Sequence, residues 1–166
     1  MGPSTTSADK AMLEQIRQNG IKVSQYPDPV EKDSPLPALM QIKPDYCSVT
    51  YGAGGTTRDK TLQIVERIQR EFDLTTMMHL TCVNATRAEL DAVIADAKSR
   101  GVRNLLALRG DPPVGAAEWT ATEGGFQYSA ELVAHLKTLG GFSIGTAGFP
   151  EGHIAQTGGR EVDWGH

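Results

Sequence analysis

A chain of 166 residues, 39% hydrophobic and 22% charged, has the composition of one soluble folded domain with room for a sizeable core. Its formal net charge of -4 and the absence of any basic block argue against nucleic acid as the main partner. No apolar run approaches the roughly 18 residues of a membrane span, so no membrane partner is expected.

Met1-Gly2-Pro3-Ser4-Thr5-Thr6 lacks a basic stretch followed by an apolar one, which predicts no secretory signal and a cytoplasmic location. Ser7 through Asn19 reads as a helix capped by Ser7, with Ala11, Leu13 and Ile16 apolar and Gly20 ending it. Ile21–Tyr26 reads as a short strand, and the four prolines of PDPVEKDSPLP make the following stretch a loop. Ala38–Ile42 suits one or two helical turns before Lys43-Pro44.

From Asp45 the pattern becomes regular. Tyr46–Tyr51 is a strand, followed by Gly52-Ala53-Gly54-Gly55-Thr56-Thr57. Arg58–Phe72 is an amphipathic helix with Leu62, Val65, Ile68 and Phe72 on one face. Thr76–Thr81 is the next strand. Thr86-Arg87-Ala88-Glu89 has capping-box spacing and opens a helix through Arg100, with Leu90, Ile94 and Ala97 inward and Gly101 closing it. The apolar run Leu105–Leu108 reads as a strand buried on both faces, stopped by Arg109-Gly110-Asp111 and barred from continuing by Pro112-Pro113. A polar excursion, Gly115–Gln127, precedes a helix from Tyr128 or Ser129, with Leu132, Val133, Leu136 and Leu139 on one face and Gly140-Gly141 as its stop. Phe142–Phe149 reads as a strand ending in Pro150-Glu151-Gly152-His153, and Glu161–His166 suits the first turn of a helix.

Strands alternating with helices in repeats of roughly 30 residues predict parallel βαβ units. The domain reading places an N-terminal helix and proline-rich segment over 1–44 and the βαβ region over 45–166. Loops leaving the strands' carboxyl ends carry Thr50-Tyr51-Gly52-Ala53, Arg109-Gly110-Asp111 and Pro150-Glu151-Gly152-His153, and His79 lies near the end of its strand. The opposite loops, Asp73-Leu74-Thr75 and Ser99–Val102, are plain turns. This one-sidedness marks an active-site face.

Each feature has a plainer reading. Arg109 and Asp111 suit an ion pair in a solvated turn, and His79 suits a satisfied core histidine. The GAGG loop has Thr57 where a third dinucleotide-binding glycine belongs. Cys47 and Cys82, in or beside apolar runs, read as buried free thiols of a reducing compartment. No residue pattern supplies Cys82 with a base, and no spaced Cys/His set suggests a metal.

Taken together, SVTYGAGGTTRDKT, HLTCVNATRAEL, RNLLALRGDPP, QYSAELV and the Pro150–His153 turn resemble the methylenetetrahydrofolate reductase family, over about Pro44 to His166. The resemblance implies an α/β fold forming part of a (β/α)₈ barrel, with FAD as cofactor. It also implies reduction of 5,10-methylenetetrahydrofolate to 5-methyltetrahydrofolate by NAD(P)H. On this resemblance Thr50, Tyr51, Ala53 and His79 contact the cofactor; Arg109, Gly110 and Asp111 lie along the flavin, with Asp111 also beside the folate as the catalytic residue. Ser129 opens a helix whose first amides face the diphosphate, and His153, Asp163 and His166 contact the adenosine half. Phe149 stands where the family commonly has Tyr, which keeps a ring but not a hydroxyl.

Two departures stand out. The family's first strand reads FEFFPP, with Glu the proposed acid for opening the folate ring; here Val23-Ser24-Gln25-Tyr26-Pro27 puts Ser24 in its place. An eight-stranded barrel takes about 250 residues, so the chain reads as a truncated barrel with two open edges and an exposed apolar interior. That predicts a fragment, association with a second copy (a homo-oligomer) or with another subunit, or poor stability. The alternative to an active reductase is a non-catalytic flavin- or folate-binding member. A third reading, an unrelated α/β enzyme, would use the GAGG loop for phosphate.

Overall fold

The computed structural model describes residues 36–51, 58–112, 119–153 and 157–165. The predicted helix Ser7–Asn19, the strand Ile21–Tyr26, Ser24, Ala53 and the rest of the GAGG loop, and His166 lie outside the described residues. In chain order the elements are α1 (Leu36–Leu39), a 3₁₀ turn (Met40–Ile42), β1 (Tyr46–Val49), α2 (Arg58–Phe72), β2 (Thr75–Thr81), α3 (Arg87–Ser99), β3 (Asn104–Leu108), α4 (Ser129–Leu139), β4 (Ser143–Thr146) and α5 (Arg160–Trp164).

The four strands form one parallel sheet in the order β1-β2-β3-β4. Each strand lies beside its predecessor, so every crossover steps the same way. Right-handed crossovers then carry their helices to a single face. A doubly wound sheet would reverse its order and cover both faces; this order, kept throughout, is that of an arc of a (β/α)₈ barrel.

Burial follows the same division. Val49, Met78, Leu105 and Ile144 stand in one row across the sheet, with Cys47 beside Thr76 in the row before it. All of these but Ile144, which is half-buried on the last strand, are buried. Helix residues Leu62, Val65, Ile68, Leu90, Ile94, Ala97, Leu132 and Leu136 join them in the core. Each of the leucines, isoleucines and valines among them contributes about 1.5–3 kcal/mol relative to exposure. The rows between, Ser48–Met77–Asn104–Ser143 and His79–Leu106–Gly145, face away from these helices, on what is the interior side of such an arc.

That division corrects two expectations. Leu105–Leu108 is not buried on both faces: Leu105 and Ala107 are, while Leu106 and Leu108 on the interior side are only half-buried. Leu139 is 40% exposed at the last position of α4, beside the Gly140 cap that ends the helix. The fourth strand is also shorter than Phe142–Phe149, because β3 offers its last rung at Ala107↔Thr146.

Polar contacts join neighbouring units. Gln69 Nε2 donates to Thr76 Oγ1 at 2.7 Å, and Asn104 Nδ2 donates to the Thr76 carbonyl at 3.1 Å. Arg100 bridges Asp96 (2.8 Å) and Glu66 (2.9 Å), tying α3 to α2. Lys98 Nζ donates to the Gly140 carbonyl at 3.2 Å, placing a cation at the carboxyl end of α4 where the helix dipole favours it.

Candidate functional site

In a parallel sheet all carboxyl ends fall on one rim. Here that rim carries Thr50 and Tyr51 after β1, Thr81 and Cys82 at the end of β2, Arg109-Gly110-Asp111 after β3 and Ala147 onward after β4. Thr50 is half-buried, and its carbonyl accepts from Thr61 Oγ1 at 3.2 Å, which ties the end of β1 to the first turns of α2. Tyr51 is buried beside it. His79 sits half-buried on the interior side in the same row as Leu106 and Gly145. Because Gly145 carries no side chain, the surface beside Leu106 stays low: an added Cβ would lie 3.3 Å from Leu106 Cδ1.

The loop after β3 is tightly built. Cys82 N donates to the Leu108 carbonyl at 3.1 Å, adding one rung beyond β2. Gly110 then turns back over the end of β2 at φ +88°, and a Cβ there would lie 2.8 Å from Val83 Cγ1 and 3.2 Å from Thr81 Cβ. Only glycine fits, for conformation and for space. Cys82 is buried, its thiol donating to the Leu108 carbonyl at 3.4 Å, and burial chiefly pushes its pKa up from 9.0 to about 11. It is a neutral thiol at neutral pH rather than a nucleophile.

Arg109 and Asp111 make no ion pair with each other among the described residues. Asp111 is exposed, while the half-buried Arg109 places its guanidinium 5.2 Å from the centroid of the Trp119 ring. Trp119 belongs to the excursion that the sequence presents as a polar loop. An aromatic residue in that loop was the available signal, but nothing in the sequence ties it to Arg109. Two buried polar atoms around this loop, Thr81 Oγ1 and Trp119 Nε1, have no hydrogen-bond partner among the described residues.

Farther along the chain, Phe149, His153 and Asp163 are brought together. The Phe149 and His153 rings meet edge to face at 4.7 Å, and Asp163 Oδ2 accepts from His153 N at 3.0 Å. Trp164 Nε1 donates to the Phe149 carbonyl at 3.1 Å, so α5 folds back on the end of β4. Gly152, at φ +84°, permits this closeness: a Cβ would lie 2.9 Å from Arg160 Cα.

Ser129 begins α4 as expected, but the helix end is already charged. The Glu131 carboxylate accepts from Gln127 N at 2.7 Å and from Tyr128 N at 3.5 Å. A diphosphate at Ser129 would share this end with a like charge. Among the described residues no three His, Cys, Asp or Glu side chains form a metal site, and no helix is long and apolar enough to cross a membrane.

Comparison with known proteins adds a separate finding. The family model described as methylenetetrahydrofolate reductase matches residues 34–164. Methylenetetrahydrofolate reductase (NADH) 1 of Arabidopsis thaliana is 44% identical over 117 residues, covering 69% of this chain and 20% of that protein. Methylenetetrahydrofolate reductase 1 of Schizosaccharomyces pombe is 46% identical over 113 residues, 67% of this chain and 19% of the relative. The 5,10-methylenetetrahydrofolate reductase of Salmonella typhimurium is 39% identical over 115 residues, 69% of this chain and 37% of the relative. The chain thus matches about a fifth of the plant and yeast proteins and less than two fifths of the bacterial one.

Proposed function

Because this chain belongs to the methylenetetrahydrofolate reductase family, we propose that its carboxyl rim is part of an FAD site. That site serves the NAD(P)H-dependent reduction of 5,10-methylenetetrahydrofolate to 5-methyltetrahydrofolate. The observation that carries the reading is the corner at Arg109-Gly110-Asp111, where a cation and a carboxylate project from one strand end without neutralising each other.

The residues present fit such a group. Gly110 keeps the corner free of a side chain, Arg109 offers a cation that pairs with no carboxylate among the described residues, and two buried polar atoms nearby, Thr81 Oγ1 and Trp119 Nε1, have no partner among the described residues. When bound, FAD supplies the hydride relay between the nicotinamide and the exocyclic methylene of the folate. The chain's residues do the rest. Arg109 suits the phosphate-ribityl side, where a planar guanidinium binds phosphate oxygens in pairs. Thr50, Tyr51 and His79 line the approach from β1 and β2. Asp111 holds a fixed negative charge at the rim, which favours a cationic folate iminium over its neutral precursor. His153 and Asp163, joined to Phe149, serve the adenosine half.

Ser24 favours a second reading. With serine where the family's first strand carries its proposed acid, the chain would bind flavin or folate without reducing the folate. The experiment that separates these is the absorbance of the purified chain in the flavin region, before and after adding FAD and desalting. Retained flavin followed by folate-dependent oxidation of NAD(P)H supports the first reading, and retained flavin without turnover supports the second. A colourless protein overturns both as flavin-site readings.

A further inference from the structure

We propose that Trp119 is a positioning residue of this site: its ring holds Arg109 at the carboxyl rim, ready for a diphosphate-bearing ligand. The inference rests on the FAD reading and deepens it.

The geometry has two sides. On one, the indole packs against the hydrophobic core as a half-buried residue, its Nε1 covered and without an acceptor among the described residues. On the other, its ring lies 5.2 Å from the Arg109 guanidinium carbon, inside the roughly 6 Å over which a ring face attracts a cation. Packing therefore anchors the ring, and the ring anchors the cation.

What makes this a binding device is the kind of partner chosen. A carboxylate beside Arg109 would also order it, but would neutralise its charge and occupy its N–H groups. Among the described residues no carboxylate makes such a pair with Arg109, the exposed Asp111 two residues along included. An aromatic face attracts the cation through its flat surface and leaves the edge donors for a bidentate anion. Arg109 is thus pre-ordered at full charge. Gly110 fixes the backbone from which it departs, since any other residue would collide with Val83.

The test titrates inorganic pyrophosphate, a colourless probe, into the full chain and into Trp119→Leu, Trp119→Phe and Arg109→Gln, with FAD retention measured in parallel. Arg109→Gln is expected to abolish pyrophosphate binding, and Trp119→Leu to weaken it about tenfold, the middle of the range for a partly desolvated cation–ring contact. Trp119→Phe, which restores a ring, is expected to recover most of the loss. A role in packing alone would lower the stability of the Trp119 variants and leave the pyrophosphate affinity of the folded fraction unchanged. Pyrophosphate should also change tryptophan emission in the parent but not in Arg109→Gln or Trp119→Phe. Parental affinity in Trp119→Leu overturns the inference. Should that variant not fold, an emission change in Trp119→Phe as large as the parent's, arising then from Trp164 alone, overturns it equally. A parent that retains FAD while Trp119→Leu binds both probes normally sinks this inference alone. A parent that holds neither FAD nor pyrophosphate sinks the flavin site and this inference with it.

Discussion

Gly110 and Gly101 both stand at positive φ, +88° and +81°, yet a methyl group added to each meets different surroundings. At Gly101 nothing lies within 4 Å, so Gly101→Ala costs only the backbone strain, about 1 kcal/mol. At Gly110 the same strain is joined by a collision with Val83 Cγ1 at 2.8 Å, and Gly110→Ala should cost about 2–4 kcal/mol. Urea denaturation of the two variants checks this, and equal losses would mean that the loop after β3 opens freely. The importance of Gly110 was legible in the sequence, because a glycine between two charges after an apolar run marks a close backbone approach. The Arg109–Trp119 contact was not, since it depends on how a loop returns. The two thiols make a pH prediction. Burial raises both Cys47 and Cys82 from 9.0 to about 11, so the folded chain resists ionisation that the unfolded chain allows. Their contribution is fully present below pH 9 and is lost as pH rises towards 11. Melting temperature followed through that window should fall, and fall less in Cys47→Ala and Cys82→Ala measured against their own neutral values. At the site, Asp111→Ala should retain flavin and lose most folate reduction; unchanged folate turnover would remove Asp111 from the chemistry.

Local chemistry wrote the helices more clearly than the strands. Thr86 and Glu89 close the expected capping box: Glu89 N donates to Thr86 Oγ1 at 3.3 Å and Thr86 N donates to Glu89 Oε2 at 2.8 Å. Thr86→Ala should cost about 1 kcal/mol, read as a shift in the denaturation midpoint, with no loss of flavin if flavin binds. The start of α4 shows where such reading stops. Ser129 was legible as a helix start, but the carboxylate that returns to Gln127 N and Tyr128 N comes from Glu131, inside the helix. The sequence QYSAELV permits that reach without demanding it, because whether a carboxylate caps its own helix or turns to solvent depends on the path of the preceding loop. Phe149, His153 and Asp163 illustrate the complement. The family resemblance groups His153 with Asp163 and takes Phe149 separately, and the contact of all three depends on Gly152 letting α5 approach within a backbone's width.

At the scale of the whole molecule, the neighbours Leu105 and Leu106 mark the two faces of the sheet. Four consecutive apolar residues have no period of two, so sequence alone could not say that they alternate between a covered and an uncovered face. In the structure Leu105 is 1% exposed beneath the helices, while Leu106 stands half-buried on the interior side, in line with His79 and Gly145. The unidirectional strand order requires this asymmetry, since it sends every crossover helix to one side. Leu105→Ala should therefore cost about 2–5 kcal/mol, the range for truncating a packed core leucine. Leu106→Ala removes the same atoms from a face with no second layer among the described residues, and should cost about 1 kcal/mol or less. Chemical denaturation of both variants at several protein concentrations is the measurement. A small Leu106 loss at every concentration means that the interior face stands open to water in the isolated chain. A Leu106 loss rising towards that of Leu105 as concentration increases means that a second copy covers it. An equally large loss at all concentrations means that the chain itself closes over the face, and the uncovered arc described by the four strands is not the state in solution.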